Sequence, residues 1–391
     1  MKKILEIINL ADSARGFIGN QFSFLQKNGG YEMHLICTPD EAIDAFVKQH
    51  DVRYKPITIE RQLNIVKDLK AIFEISRYIR RYRIDIVIGH QAKGMLLAMF
   101  AATIARAPYK IIMAHGVLVD TMHGLKKSLM VFEERFIARL ADITICVSDS
   151  VRQRRLEEGI DRAEKQVIIG DGTCNGVDAI NQFNPQNIDV TLLTSLRAQF
   201  KLTENDYVIG FCGRMVKDKG IVELIDAFSI VAKTCSNAKL LIIGPKEQRD
   251  SIPAETYDII EKNNRIIFTG SVDRYKMQCY YALMDSFVLP SYREGFPTVV
   301  LEASAMSIPV ITTKATGCID SIIDGETGLF VDIDASSIAN AIIELNDKQK
   351  GKDIGSRGRE LVLRKYEHQI VCSNMLSFFD NLTRRSDKQW R

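Results

Sequence analysis

The feature that most limits how this chain can fold is an alternation, begun twice, of short β-branched runs with longer segments in which apolar residues recur every three or four positions. In the first half, Ile4 to Asn9, Met33 to Cys37, Ile84 to Ile88, Lys110 to Ala114 and Ile143 to Val147 are apolar along most of their length, as strands covered on both faces must be. Between them, Asn64 to Arg83 and Lys126 to Leu140 carry the period of an amphipathic helix. Strand, helix and strand in succession predict a parallel sheet with crossover helices. The pattern restarts beyond a polar stretch from Ala179 to Asp206. Val208 to Cys212, Lys239 to Ile243, Arg265 to Thr269, Asp285 to Leu289 and Pro309 to Thr312 form the second strand set. An α/β chain of two tandem Rossmann-like domains is expected, over 1–180 and 190–366. Asn181 to Asp189, rich in Asn, Gln and Asp and holding Pro185, reads as their linker. The length of 391 residues suits two cores, and a cleft between the sheets is the expected ligand site.

Charge and cysteine usage exclude several classes. A net charge of +3 over this length gives no electrostatic case for nucleic acid. The eight cysteines are scattered singly, without the close pairs of a zinc or redox site, so reduced thiols in a cytosol are expected and no metal centre is. Met1-Lys2-Lys3 followed by an apolar run imitates a signal peptide, but Glu6 and Asp12 interrupt it, and a first strand is the better reading. Gly94 to Ala105, ended by Arg106 and Pro108, falls short of the roughly twenty residues that cross a bilayer. A cytoplasmic protein follows as the expectation.

Two loops hold the residues suited to chemistry. After the strand ending at Cys212 comes Gly213-Arg214-Met215-Val216-Lys217-Asp218-Lys219-Gly220, leading into a helix from Ile221 to Ala232. A glycine-bounded turn with several cations suits a diphosphate, because bare backbone approaches closely while Arg and Lys neutralise charge. A tight turn with solvated basic residues is the plain alternative. Farther on, Pro290-Ser291-Tyr292-Arg293-Glu294-Gly295-Phe296-Pro297-Thr298 opens another helix, with Glu302 on its second turn. Thr298 is expected to cap that helix, whose first amides suit a phosphate. Glu294 and Glu302 suit the vicinal hydroxyls of a hexose and a ribose.

In this order the motifs resemble those of the retaining glycosyltransferases of family 4, which have the GT-B fold, along nearly the whole chain. The resemblance implies two Rossmann-like domains, with a last helix over about 367–391 crossing back to the first. It implies that Arg214 and Lys219 bind the donor diphosphate beside Gly213, that Glu294 binds the transferred sugar, and that Glu302 binds the ribose. Gly295, Phe296, Pro297 and Thr298 would offer backbone amides, and Val272, in Gly270-Ser271-Val272, would read the base. His115, after the strand ending at Ala114, would face the donor sugar, and Gly16 stands where the family has a glycine-rich loop, here reduced to Ala14-Arg15-Gly16-Phe17. His90-Gln91-Ala92-Lys93-Gly94 and Asn175-Gly176-Val177-Asp178 resemble a subgroup that builds bacterial capsule, O-antigen or exopolysaccharide. There His90 or Lys93 would face the acceptor, with a helix cap as the equal alternative.

The implied reaction moves a hexose from a UDP-sugar to a hydroxyl of a growing glycan, free or lipid-linked, with retention and no metal. His115, Glu294, Arg214 and Lys219 would be its catalytic set. Asp332-Ile333-Asp334 imitates a metal motif of a different glycosyltransferase fold, in the wrong place. The basic runs Arg77 to Arg83 and Gly124 to Lys127, with Arg384, Arg385, Trp390 and Arg391, suit a peripheral anionic membrane if they share a surface. The rivals are an epimerase of the same architecture and a non-catalytic nucleotide-sugar scaffold.

Overall fold

The computed structural model describes residues 1–60, 62–247 and 251–389, the last five by backbone alone. Trp390 and Arg391 lie outside the described residues. Two compact units are present, one of Met1–Asn175 joined by the segment from Gln369, the other of Gly176–His368.

The first unit is wound on a parallel sheet of β1 (Lys3–Leu10), β2 (Glu32–Thr38), β3 (Arg53–Pro56), β4 (Ile86–His90), β5 (Tyr109–Ala114), β6 (Ile143–Cys146) and β7 (Gln166–Val167). The strand order is β3-β2-β1-β4-β5-β6-β7. The winding therefore reverses between β1 and β4, and the crevice at the carboxyl ends of those strands is where such sheets receive ligands. The C-terminal helix, His368–Gln389, packs on this unit as expected: Tyr31 donates to Asp380 at 2.8 Å and Tyr109 to the Leu382 carbonyl at 2.9 Å.

The second unit repeats the plan with β8 (Tyr207–Cys212), β9 (Ala238–Ile243), β10 (Ile266–Phe268), β11 (Ser286–Leu289), β12 (Val310–Thr313) and β13 (Gly328–Val331), in the order β10-β9-β8-β11-β12-β13. Its reversal lies between β8 and β11, so the loops opening at Gly213 and Pro290 are neighbours. That adjacency builds the site.

Strands β3, β7 and β13 escape the periodicity because they are short or half-exposed. The supposed linker is a larger correction. The chain passes between units at Asn175–Gly176, and the polar stretch lies wholly in the second. Phe183 is buried there, Arg359 donates to the Phe183 and Ala179 carbonyls, and Asp189 caps a helix over Val190–Gln199. Its polar composition reflects caps and turns on a surface.

Candidate functional site

In the second unit the two loops are fitted together by glycines. Gly244, following β9, has φ of +140°, and a Cβ there would stand 1.9 Å from the Gly213 carbonyl oxygen. Gly220 has φ of +66°, and its Cβ would stand 2.0 Å from the Pro290 oxygen; that of Gly317, with φ of +80°, would stand 2.5 Å from the Gly295 oxygen. No side chain fits at these three places, so backbone packs on backbone. Polar bonds then lock the loops: the Tyr292 amide donates to the Asp218 carbonyl at 2.9 Å, Arg293 pairs with Asp218 at 2.6 Å, and the Glu294 amide donates to the Thr316 carbonyl at 2.8 Å.

The locked loops bring Lys219 and Glu294 together as an ion pair, with Ser291 donating to the same carboxylate oxygen at 2.9 Å. The two side chains are 20% and 14% exposed, covered enough to be ordered and open enough to meet a ligand. Arg214 is far more open and reaches Glu247 at 3.4 Å. Gly295 follows Glu294, and Phe296 packs its ring against Tyr366 with centroids 5.1 Å apart. Thr298 does not cap the helix over Thr298–Ala305: Pro297 holds the N-cap position and no side chain bonds the first amides there. Pro297 carries no N–H itself, the Val300 amide donates to the Pro297 carbonyl at 3.0 Å, and the Thr298 and Val299 amides begin the helix without a cap from the N-cap side chain.

Glu302, on that helix, is buried, and its Oε2 accepts a hydrogen bond from Tyr281 at 2.8 Å. Burial raises its carboxyl above the usual range, opposed by Arg274 and by the Tyr281 bond. Burial likewise raises the Tyr281 phenol, helped by Glu302. Val272 is half-buried against the core of the same unit, beside Gly270, whose φ of +69° faces open space.

In the first unit His115 follows β5 half-buried, with Phe17 stacked on its ring at 4.3 Å. Its Nε2 lies 2.8 Å from His90 Nδ1, and His90 Nε2 lies 2.6 Å from Glu6 Oε2. Burial, then the neighbouring His90, holds the His115 imidazole well below its ordinary value.

Three expectations for this unit are corrected. His90 does not face an acceptor, being 1% exposed with both ring nitrogens committed to Glu6 and His115, and it makes no side-chain cap. Lys93 is buried too, paired with Asp68 and donating to the Gln62 carbonyl at 3.3 Å, so it ties two helices together. Gly16 belongs to a helix, Ala11–Phe17, that starts directly after β1; the turn glycine is Gly19, with φ of +49°. Asp334, the end of the Asp332-Ile333-Asp334 run, caps the helix over Ala335–Leu345 by accepting from Ser336 and Ser337, each at 2.9 Å.

Glu6 and Tyr281 were passed over in the sequence. Glu6 had a visible signal, a single carboxylate within the apolar run of a central strand. Tyr281 had none, lying among similar residues in Met277–Tyr281.

Residues 25–172 match the glycosyl transferase 4-like domain and residues 206–348 the glycosyl transferases group 1. The chain is 30% identical over 389 residues to the capsular polysaccharide biosynthesis glycosyltransferase CapM of Staphylococcus aureus, covering 99% of both. It is 23% identical over 328 residues to the UDP-Gal:alpha-D-GlcNAc-diphosphoundecaprenol alpha-1,3-galactosyltransferase of Escherichia coli, covering 83% of this chain and 82% of that one. In fold it matches a glycosyltransferase from Rickettsia africae with a TM-score of 0.80, at 20% identity and 98% of each chain. It also matches Anabaena HepE, solved with UDP and glucose, with a TM-score of 0.79, at 20% identity, covering 97% of this chain and 100% of that one. Two parallel doubly wound units, the paired loops after β8 and β11, and a full-length relative together place this chain in the family 4 glycosyltransferases, the glycosyl transferases group 1, with the GT-B fold.

Proposed function

We propose that this protein transfers a hexose from a UDP-sugar to a hydroxyl of a growing, polyprenyl-diphosphate-linked glycan, with retention at the anomeric carbon, during bacterial surface-polysaccharide assembly. The Staphylococcus aureus relative is named for capsule, and the Escherichia coli relative for a UDP-sugar and a diphosphoundecaprenol acceptor. The observation that carries the reading is the Lys219–Glu294 pair, half-open beside an uncapped helix start. A donor entering there gives Lys219 a diphosphate in exchange for Glu294 and gives Glu294 the sugar hydroxyls. Arg214 and the backbone N–H groups of Gly295, Phe296 and Thr298 share the phosphate charge, Pro297 having no N–H to give, and Glu302, held by Tyr281 through one oxygen, takes a ribose hydroxyl with the other. Val272 lies by the base, and His115 is assigned to the donor sugar.

Charge stabilisation at the leaving diphosphate is then the main catalytic effect. Arginine, lysine and amides supply it without a divalent ion, so turnover is expected to survive chelation. Attack from the face of the departing group needs no covalent adduct on Glu294. The test is UDP release from a panel of UDP-sugars, with and without a polyprenyl-diphosphate saccharide, and the anomeric configuration of the product read by NMR. Acceptor-dependent release with retention is expected; acceptor-free conversion to an epimerised sugar would favour an epimerase.

The acceptor proposal includes a peripheral membrane contact on the cytoplasmic side. No described helix is long and apolar enough to cross a membrane. Helices Ile65–Tyr82 and Gly124–Leu140 both contact the helix over Gln91–Ala105. The first exposes Val66, Leu69 and Phe73 in line with Arg77 and Arg80; the second exposes Leu125, Leu129 and Phe132 beside Lys126. Apolar rows edged by cations suit insertion at an anionic lipid surface. Flotation with phosphatidylglycerol vesicles at low salt, lost in Phe73→Glu/Leu129→Glu, is expected; no flotation of the native protein would remove this part of the reading.

A further inference from the structure

We infer that Glu6 and His90 are positioning residues that hold His115 as a neutral imidazole with its proton on Nδ1, a fixed donor toward an acceptor oxygen of the bound sugar nucleotide. Glu6 is 2% exposed at the middle of β1, and its only ion-pair partner among the described residues is His90, itself 1% exposed. A lone carboxylate at that depth loses its hydration with one imidazole in return, so burial favours holding the two groups as a pair that is neutral overall. It can be neutral in two ways. As carboxylate and imidazolium, His90 carries a hydrogen on both nitrogens; as carboxylic acid and imidazole, Nε2 accepts from the acid and the ring hydrogen is on Nδ1. In both of these states His90 Nδ1 donates and His115 Nε2, 2.8 Å away, accepts, whereas a carboxylate beside a neutral His90 with its hydrogen on Nε2 would reverse that bond and leave His115 protonated on Nε2. With the pair neutral, the remaining ring hydrogen of His115 is on Nδ1, which has no hydrogen-bond partner among the described residues.

Independent features of the backbone fit this assignment. Gln91, directly after His90, has φ of +58° without being glycine, a conformation retained only where the surroundings impose it. Its side-chain Nε2 donates to Ser13 Oγ at 3.0 Å, tying the residue after His90 to the helix that follows β1. Phe17 clamps the far ring. Glu6 and His90 lie on β1 and β4, the two strands at which the winding reverses, and His90 ends its strand at the expected ligand edge. Burial keeps His115 from taking a second proton, so it donates without the charge that would bind ground state and transition state alike.

The tautomer is readable in ligand-free, full-length protein by long-range 1H–15N NMR of labelled histidine, with the six histidines assigned by single substitution. The expected native spectrum at neutral pH has His115 protonated on Nδ1 and bare on Nε2. In His90→Phe, and in Glu6→Leu, the signal moves toward the Nε2-protonated form, with melting temperature as the control for folding. Donor turnover then falls by at least about tenfold in kcat while the donor KM changes little. A native His115 protonated on Nε2, or folded variants whose tautomer matches the native one, would overturn the inference. Where the variants do not fold, the native spectrum alone decides. The kinetic part rests on the glycosyl-transfer reading and the spectrum does not, so failure of one is distinguishable from failure of the other.

Discussion

The two units place their candidate functional side chains by opposite means. In the second, the site is made of loops whose backbones touch at Gly213–Gly244, Gly220–Pro290 and Gly317–Gly295, and the charged side chains stand half-open on that frame. In the first, the frame is the sheet itself, and the site is a buried chain from Glu6 through His90 to His115. The difference teaches that one fold can position a residue by excluding side chains or by satisfying polar ones. The two strategies fail differently when disturbed, and each failure can be measured.

The largest effect is expected at the half-open pair. Lys219→Ala removes a cation from the leaving diphosphate and should lower kcat by about 10²–10³-fold, or about 3–4 kcal/mol of transition-state stabilisation, with the melting temperature of the free protein little changed. A comparable loss of stability would show the pair to be structural. Next is the glycine frame. Gly220→Ala sets a methyl 2.0 Å from a carbonyl oxygen at a φ of +66° and should destabilise by about 3 kcal/mol. Gly270→Ala, equally left-handed but facing open space, should lose only about 1 kcal/mol. Equal effects in chemical denaturation would break the claim that close approach, rather than conformation alone, sets the second site.

A third effect belongs to the first unit. His115 and His34 are both held below the ordinary histidine value by burial. The unfolded chain therefore binds more protons than the folded one as pH falls below about 6.5, and folding stability must drop on acidification, by up to about 1.4 kcal/mol per pH unit for each group. The stability is fully present above that pH. Melting curves from pH 7.5 to 5 should show the decline, and His34→Leu should flatten it. The smallest effect is at Tyr281→Phe, which leaves Glu302 without its donor and should weaken UDP binding by about fivefold, near 1 kcal/mol. No change would mean that Glu302 is oriented by the helix alone.

The same contrast explains what could be read from the sequence. Both parallel sheets were legible because strands covered on two faces must be apolar throughout, and ten of them stand out in that way. The loop site was legible because glycines beside cations and the Glu-Gly-Phe-Pro run leave a contiguous trace. The chain of Glu6, His90 and His115 leaves none: its members are 84 and 25 residues apart and meet only through the order of β1, β4 and β5. Lys93 and His90 resembled surface groups because nothing in a local sequence reveals that a charge has a buried partner. The linker was misread for the converse reason, since capping residues such as Asp189 give a helix terminus the composition of a loop.

The central claim, that the loops after β8 and β11 grip a nucleoside diphosphate, is tested most directly by thermal stabilisation with UDP across a concentration series, comparing the native protein with Arg214→Ala and Glu302→Ala. Ligand bound only by the folded state must raise the melting temperature in proportion to the logarithm of its excess over Kd. A concentration-dependent rise is expected for the native protein, lost or strongly reduced in both variants. No rise at millimolar UDP, or an equal rise in all three proteins, would contradict it.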